Sequence, residues 1–235
     1  MLHKKKILVF TATYNEADNI EKLILDLFHS NKKIHVLVVD DNSPDGTGSK
    51  IIKLKKKFKK LFLYSRKKKL GLDTAHKYAY NFALKKKYDY LITMDADLSH
   101  NPKKINSFIK YLSKYSFVIG SRYMKKGKCL MKGKRLILSK YGNLIIKKIL
   151  KIHLTEFTTS YRGFNIKKLK NFSLNLVKTN GYSFFMGTVF EIYKRDFDIK
   201  EIPIIFKDRS HGVSKIPKLE IIRTLKNLLI LYFKK

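Results

Sequence analysis

The first hundred residues alternate between two periodicities, and that alternation limits the architectures open to the chain. Four short runs, "KILVFTAT" (6–13), "IHVLVVDD" (34–41), "KLFLYS" (60–65) and "YDYLITMD" (88–95), are apolar and β-branched almost without a break, as strands buried on both faces must be. Between them the apolar residues recur at helical spacing. "YNEADNIEKLILDLFHS" places Ile20, Leu23, Ile24, Leu27 and Phe28 on one face. "GTGSKIIKLKKKF" (46–58) and "DTAHKYAYNFALKKK" (73–87) predict two more helices, the second opened by Asp73 as a capping residue. Continuous apolar strands separated by amphipathic helices pack as parallel strands covered on both sides. The expected fold class is therefore α/β and Rossmann-like, a single domain with a central, mostly parallel sheet and helices on both faces.

After residue 100 the regularity loosens. "NPKKINSFIKYL" (101–112) predicts a helix with Pro102 in its first turn, "FVIGSRY" (117–123) a strand, residues 134–150 a helix, and "IKEIPIIFKDRS" (199–210) contains a late strand. The tail, "SKIPKLEIIRTLKNLLILYFKK" (214–235), predicts an amphipathic helix after Pro217. Such a helix either packs on the domain or lies in the plane of a membrane.

No run of 18 or more uncharged apolar residues occurs, so no transmembrane segment is expected, and "MLHKKKILVF" has too short an apolar run for a signal peptide. Cys129, the single cysteine, cannot form an internal disulfide and has no cysteine partner for a metal site. Against 18 acidic residues stand 52 basic ones, a formal charge of +34. A surface like this attracts nucleic acid, anionic lipid or phosphorylated substrates, although lysine runs such as "LKKKFKK" also occur simply as solvated helix ends. A nucleic-acid-binding module would interleave aromatics with basic residues on an exposed face. Here the 14 Tyr and 16 Phe fall mainly in apolar core patterns, which counts against a specific nucleic-acid partner.

In open α/β sheets ligands bind beyond the carboxyl ends of the strands. The first strand ends in "TATYNEADN", the second in "VVDDNSPDGTG" and the fourth in "MDADLSHNP". Asp40, Asp41, Ser43 and Asp45 make the second an acceptor-rich turn suited to base and ribose hydroxyls. Asp95 and Asp97 repel one another unless a cation intervenes, and carboxylate oxygens suit Mg²⁺ or Mn²⁺ completed by water and a diphosphate. The alternative is that the two carboxylates only cap the turn before Asn101 and Pro102.

Taken in series, "TATYNEADNI", "VVDDNSPDGTG", "MDADLSHNP", "GSRY", "TTSYRGF" and "IPIIFKDRSHGVSK" resemble the dolichol-phosphate (polyprenol-phosphate) mannose synthases, family 2 glycosyltransferases with the GT-A fold. The resemblance implies a GDP-mannose donor, a divalent metal (Mg²⁺ or Mn²⁺) and a polyprenyl or dolichyl phosphate acceptor. It divides the chain into a nucleotide-binding half over about residues 1–100, an acceptor-binding half over about 101–215 and a C-terminal helix over about 216–235. Thr13, Tyr14, Glu16, Asp41 and Ser43 then line the nucleotide pocket, and Asp95 and Asp97 form the metal pair, with Asp97 favoured as the direct ligand. Arg122, Arg135 with Ser139, Arg162, and Arg209 with Ser214 and Lys215 fall at positions associated with the diphosphate or the acceptor phosphate. Asp97, Arg122, Arg209 and Lys215 are the expected catalytic set. Only seven arginines occur among the 52 basic residues, and four of them sit in these motifs, where a guanidinium fork grips phosphate better than an ammonium does.

Three departures stand out. Glu156 replaces a common Asp. "GYSFFMGTVFEI" carries Phe185 and Gly187 where relatives have Gln and Glu, with Glu191 the nearest acid. Some relatives carry two transmembrane helices after the catalytic domain, and no counterpart is expected here. The expected protein is thus peripheral on the cytoplasmic face of a membrane, endoplasmic reticulum or plasma membrane according to organism, reached by its own surface or through a small membrane-anchoring subunit. A phosphate acceptor is already ionised near neutral pH, so loss of a candidate base is tolerable. The rival readings are transfer from a UDP-sugar such as UDP-glucose to the same lipid, and decoration of a polysaccharide hydroxyl.

Overall fold

Side-chain alternation along β1 (Ile7–Thr13) sorts the core into two layers. Ile7 and Val9 enter one apolar cluster, Leu8 and Phe10 the other, and all four are buried, as a strand covered on both faces requires. The computed structural model describes residues 5–208 and 220–234. From β1 the chain runs through α1 (Ala17–Ser30), β2 (His35–Asp40), α2 (Thr47–Lys57), β3 (Leu61–Ser65) and α3 (Leu72–Lys85) to β4 (Tyr90–Thr93). β1 pairs in parallel with β2 and β4, and β2 with β3, which is the predicted arrangement. One local expectation fails. Gly71, not Asp73, precedes the first turn of α3, and Asp73 is buried within that turn, accepting a hydrogen bond from Gly181 N–H at 3.4 Å.

The second half follows with α4 (Ile105–Leu112), β5 (Phe117–Ser121), β6 (Lys128–Cys129), α5 (Gly133–Leu150), β7 (Arg162–Asn165), α6 (Ser183–Tyr193), β8 (Ile199–Pro203), β9 (Ile205–Phe206) and α7 (Glu220–Phe233). Pro102 opens a 3-10 turn before α4, and Asn101 caps it by accepting from Lys103 N–H. The main sheet has seven strands in the order β3-β2-β1-β4-β7-β5-β8; β6 and β9 form a small separate pair.

β7 is the element that places everything else. It enters between β4 and β5 and runs antiparallel to both, with Arg162 opposite Thr93 on one side and Ile119 on the other. Because it is reversed, the residues leading into it, 155–161, lie at the same edge as the carboxyl ends of β1, β2, β4 and β5. β8 runs parallel to β5, with Ser121 opposite Pro203, so residues 204–208 leave at this edge too. Four residues beginning with Arg and containing Gly163 carry no strand signal. The strand is held by its ladders to β4 and β5, and Gly163 lets α4 pack closely over it, where a Cβ would stand 2.9 Å from Leu112 and 3.1 Å from Phe108.

α6 is buried on nearly every side, and α7 lies against α5 and α6, burying Leu228 and Leu231. Gly187 marks the closest approach in α6. A Cβ there would stand 2.0 Å from Thr179 Oγ1 and 3.1 Å from Val177. Gly187→Ala is expected to lower stability by about 1–3 kcal/mol through overpacking, read as a lower urea midpoint at unchanged slope. An unchanged midpoint would show that residues 177–179 yield freely.

Candidate active site at the strand ends

Two loops at the carboxyl edge are stapled together before any ligand is considered. Asp40, ending β2, accepts from the Thr13 hydroxyl at 2.8 Å, the Ser43 hydroxyl at 2.5 Å and Ser43 N–H at 3.0 Å. Ser43 Oγ in turn accepts from Asn15 N–H, Thr47 Oγ1 from Glu16 N–H, and Asp45 from Ala17 N–H. Burial tends to raise the Asp45 carboxyl, but hydrogen bonds from Thr47 and Ala17 outweigh it and hold the group below its ordinary value. Side chains of the second loop thereby take the two amides that lead into α1 and the first amide of the helix itself. Tyr14 carries Lys69 over its ring at 4.2 Å, and Glu16 accepts from Asn19.

Asp41 corrects an expectation. Instead of an open acceptor it is an anchor for the loop between β3 and α3, taking Arg66 at 2.9 Å on one oxygen and the amides of Leu70 and Gly71 at 3.2 Å on the other. Gly71 sits at φ +93°, a conformation that disfavours any side chain. Arg66, buried and also bonded to Thr74, escapes sequence reading because it begins the lysine run "RKKKL".

Beyond β4 the acidic pair occupies a tight loop. Asp97 is buried, and its Oδ1 accepts from Ser99 N–H at 3.1 Å and the Ser99 hydroxyl at 2.6 Å. Leu98 is held at φ +62°, a left-handed conformation that costs a residue of this kind roughly 1–2 kcal/mol. Asp95 stands more open and donates its backbone N–H to His100 Nδ1 at 3.2 Å. Burial lowers the His100 pKa, against the opposing pull of Asp95 and Asp97. The donor set is two hard carboxylates; among the described residues no third ligating side chain joins them. That fits a Mg²⁺- or Mn²⁺-type ion, which keeps water and substrate oxygens in its shell.

At the same edge, the loop before β7 holds Arg122, the residue that follows β5. Glu156 takes its Nε at 2.6 Å and its Nη2 at 2.8 Å, and Thr158 also accepts from Nη2. The guanidinium lies between the rings of Tyr123 and Phe206. Nη1 is left without a hydrogen-bond partner among the described residues, so Arg122 offers one nitrogen and not an open fork. Burial raises the Glu156 carboxyl and Arg122 more than offsets it, leaving the group below its ordinary 4.5. From α5, Asn143 accepts from Phe157 N–H at 2.7 Å and donates to Thr158 at 3.2 Å. Nearby Ser139 accepts from the Tyr123 hydroxyl, and exposed Arg135 pairs with Asp208 at 3.3 Å.

Arg162 is a second correction. Its side chain is wholly buried, donating to the carbonyls of Thr159, Phe185 and Phe157, each at 2.7 Å, so the structure does not bring it to the crevice as a phosphate ligand. Burial lowers its pKa to about 9, opposed by Glu156. Phe185 stacks on that guanidinium at 4.8 Å, and Gly187 faces Thr179 and Val177. The two altered positions therefore belong to the core, and a glutamate at 187 has no room. Arg209, Ser214 and Lys215 lie outside the described residues.

An α/β sheet with acid-rich loops at its carboxyl edge and one reversed strand beside them is the GT-A glycosyltransferase fold. The chain belongs to this class: residues 8–172 match the profile of Glycosyl transferase family 2, and the protein is a glycosyltransferase. It is 32% identical over 215 residues to the polyprenol monophosphomannose synthase of Mycolicibacterium smegmatis, covering 90% of this chain and 81% of the relative. It is 31% identical over 212 residues to the undecaprenyl-phosphate mannosyltransferase of Micrococcus luteus, covering 90% and 87%. Among solved structures, glucosyl-3-phosphoglycerate synthase from Mycobacterium tuberculosis, with Mn²⁺, uridine diphosphate and phosphoglyceric acid, superposes at a TM-score of 0.70 with 14% identity, over 98% of this chain and 78% of that one. A mannosyltransferase from Pyrobaculum calidifontis, with GDP-Man and Mn²⁺, gives a TM-score of 0.60 at 18% identity, over 99% and 64%.

The Glu156–Arg122 pair predicts a pH dependence. A depressed carboxyl contributes stability that is full above its unfolded pKa and is lost as pH falls through the folded one. Glu156→Gln is expected to cost about 3–5 kcal/mol at pH 7 by leaving Arg122 buried and unpaired. Urea unfolding of the variant should also decline less than that of the parent as pH falls below 4.5. Parallel declines would show that the pair is not formed in solution.

Proposed function

We propose that this glycosyltransferase moves mannose from GDP-mannose to a polyprenyl or dolichyl phosphate, with inversion, releasing GDP at the cytoplasmic face of a membrane. The observation that carries the reading is that two relatives above 30% identity, each aligned over 90% of the chain, are named for synthesis of polyprenol monophosphomannose and for mannosyl transfer with undecaprenyl phosphate. The geometry agrees with that chemistry. On one side of the edge lie Thr13, Tyr14, Glu16 and Ser43 for the nucleotide, with Asp41 acting through the loop it anchors. Asp95 and Asp97 would hold Mg²⁺ or Mn²⁺, which when bound offsets the negative charge of the leaving diphosphate. On the other side, Arg122 Nη1 and Arg135 with Ser139 face the acceptor half, joined by Arg209, Ser214 and Lys215 by family likeness. The division at about residue 100 follows the same line between donor and acceptor.

An acceptor phosphate with a second pKa near 6 is largely ionised at pH 7, so the reaction calls for alignment and charge neutralisation rather than a base. Asp40 and Glu156 are occupied by internal hydrogen bonds and do not need to serve as one.

No helix among the described residues is long and apolar enough to cross a membrane. α5 and α7 instead pack side by side, and each exposes an apolar stripe, with Ile137, Leu138 and Tyr141 on α5 and Ile222, Leu225 and Phe233 on α7. Exposed lysines 134, 140, 148 and 226 flank them. That combination suits an anionic lipid surface, where each nearby lysine contributes about 1 kcal/mol. A small anchoring subunit would be a second route to the same surface.

The first test is transfer of labelled mannose from GDP-mannose into an organic-extractable polyprenyl phosphate with Mg²⁺ or Mn²⁺ present. Asp97→Ala should reduce the rate by on the order of 100-fold or more. Product from a UDP-sugar but not from GDP-mannose would replace the donor; no lipid-linked product from any donor would refute the acceptor. For the surface, Ile222→Glu combined with Leu225→Glu should abolish flotation with anionic vesicles while sparing transfer to a short, soluble isoprenyl phosphate. Undiminished flotation would remove α7 from the docking face.

A further inference from the structure

Three segments that are distant in sequence meet on one buried imidazole. His100 follows the acidic pair by a few residues, and its side chain is fully enclosed. Nδ1 accepts the backbone N–H of Asp95 at 3.2 Å, which assigns the ring proton to Nε2. Nε2 points to Thr159 Oγ1 at 3.5 Å, in the loop before β7. The ring lies 4.8 Å from that of Tyr161 and meets the edge of Phe206 at 5.3 Å. Tyr161 returns a hydrogen bond to Asn101 O at 3.0 Å, and Lys207 N–H donates to Ser99 O at 3.1 Å. Phe206 also stacks under Arg122, so one phenyl ring separates the histidine from the guanidinium.

Resting on the metal-dependent reading above, we infer that His100 is a positioning residue for the acidic pair: by accepting the Asp95 amide it sets the direction in which the β4 loop presents Asp95 and Asp97. The turn at Leu98 makes this possible. Its left-handed backbone folds the loop back so that a side chain five residues on reaches the amide of Asp95. The position calls for an acceptor at the Nδ1 site together with a flat apolar body between two aromatic rings. Of the ordinary side chains, neutral histidine supplies both. Thr159 and Phe206 then fix the ring from the other side, so the acidic pair and Arg122 share one rigid reference point.

The test compares His100→Asn, whose Oδ1 can replace Nδ1, with His100→Gln and His100→Leu, which offer no acceptor at that site. Mn²⁺ binding in the presence of GDP is followed by the electron paramagnetic resonance of the free ion, and exchange of the Asp95 amide is followed by NMR without metal. The Gln and Leu variants should weaken Mn²⁺ binding about tenfold, and the Asn variant by less than about threefold, the scale seen when outer-shell partners are removed. The Asp95 amide should exchange slowly in the parent and the Asn variant and quickly in the other two. Should the Leu variant fail to fold, the Asn and Gln pair decides alone. Equal Mn²⁺ affinity in the parent and the Gln variant, or equal loss in Asn and Gln, would overturn the inference, as would lower melting temperatures with unchanged affinity. If the parent itself binds no Mn²⁺ with GDP, the metal-dependent reading fails and the inference with it. Amide exchange then still reports whether His100 holds Asp95.

Discussion

A guanidinium sealed from water with no carboxylate in hydrogen-bond reach must be matched by oxygen dipoles, and the carboxyl edge of this sheet is organised around one that is. Arg162 sits where the chain turns from the 155–161 loop into β7, and it gathers the carbonyls of residues 157, 159 and 185. The loop is thus pinned from beneath at alternate residues. The side chains of Glu156 and Thr158, on the intervening positions, are left to hold Arg122. The same charge governs its surroundings. His76, packed against Phe10, Phe184 and Phe185, is kept neutral, its pKa lowered to about 3 by burial and by Arg162. One buried cation therefore settles the conformation of a loop and the seating of α6, and adds to the burial that keeps a core histidine neutral.

The edge above it is ordered before any substrate arrives. Asp40, Asp45 and Asp97 all accept hydrogen bonds from neighbouring hydroxyls and amides. Asn15, Asn42 and Leu98, one in each of the β1, β2 and β4 loops, occupy left-handed backbone conformations. Strain of this kind persists where surrounding bonds over-determine the backbone, and it collects at functional sites. A site that works by alignment benefits from that rigidity, because little reorganisation is left for the moment of reaction.

The first four strands were legible because they are apolar almost without a break, as strands between two layers of helices are. β7 was not legible: four residues with an arginine and a glycine become a strand through their pairing with β4 and β5, with α4 packed across the glycine. The scarcity of arginine was a sound guide to importance and a poor one to role. It pointed to Arg122 and Arg162 alike, yet one pairs with Glu156 near the crevice and the other serves carbonyls in the core. No local pattern separates those fates, since both depend on which partners the tertiary structure delivers. Arg66 was hidden by the opposite effect, standing at the head of a lysine run while its guanidinium turns inward to Asp41.

α5 belongs to two environments at once. Its outer residues, among them Ile137 and Tyr141, are exposed, while Asn143 on its inner side bonds to Phe157 and Thr158. A helix with its side chains is roughly 10–12 Å across. If the outer stripe rests among lipid headgroups, the crevice stands about one such diameter above them. The helix then acts as a depth gauge: a phosphate at headgroup level meets the protein near its working height, and the isoprenoid behind it never has to leave the bilayer.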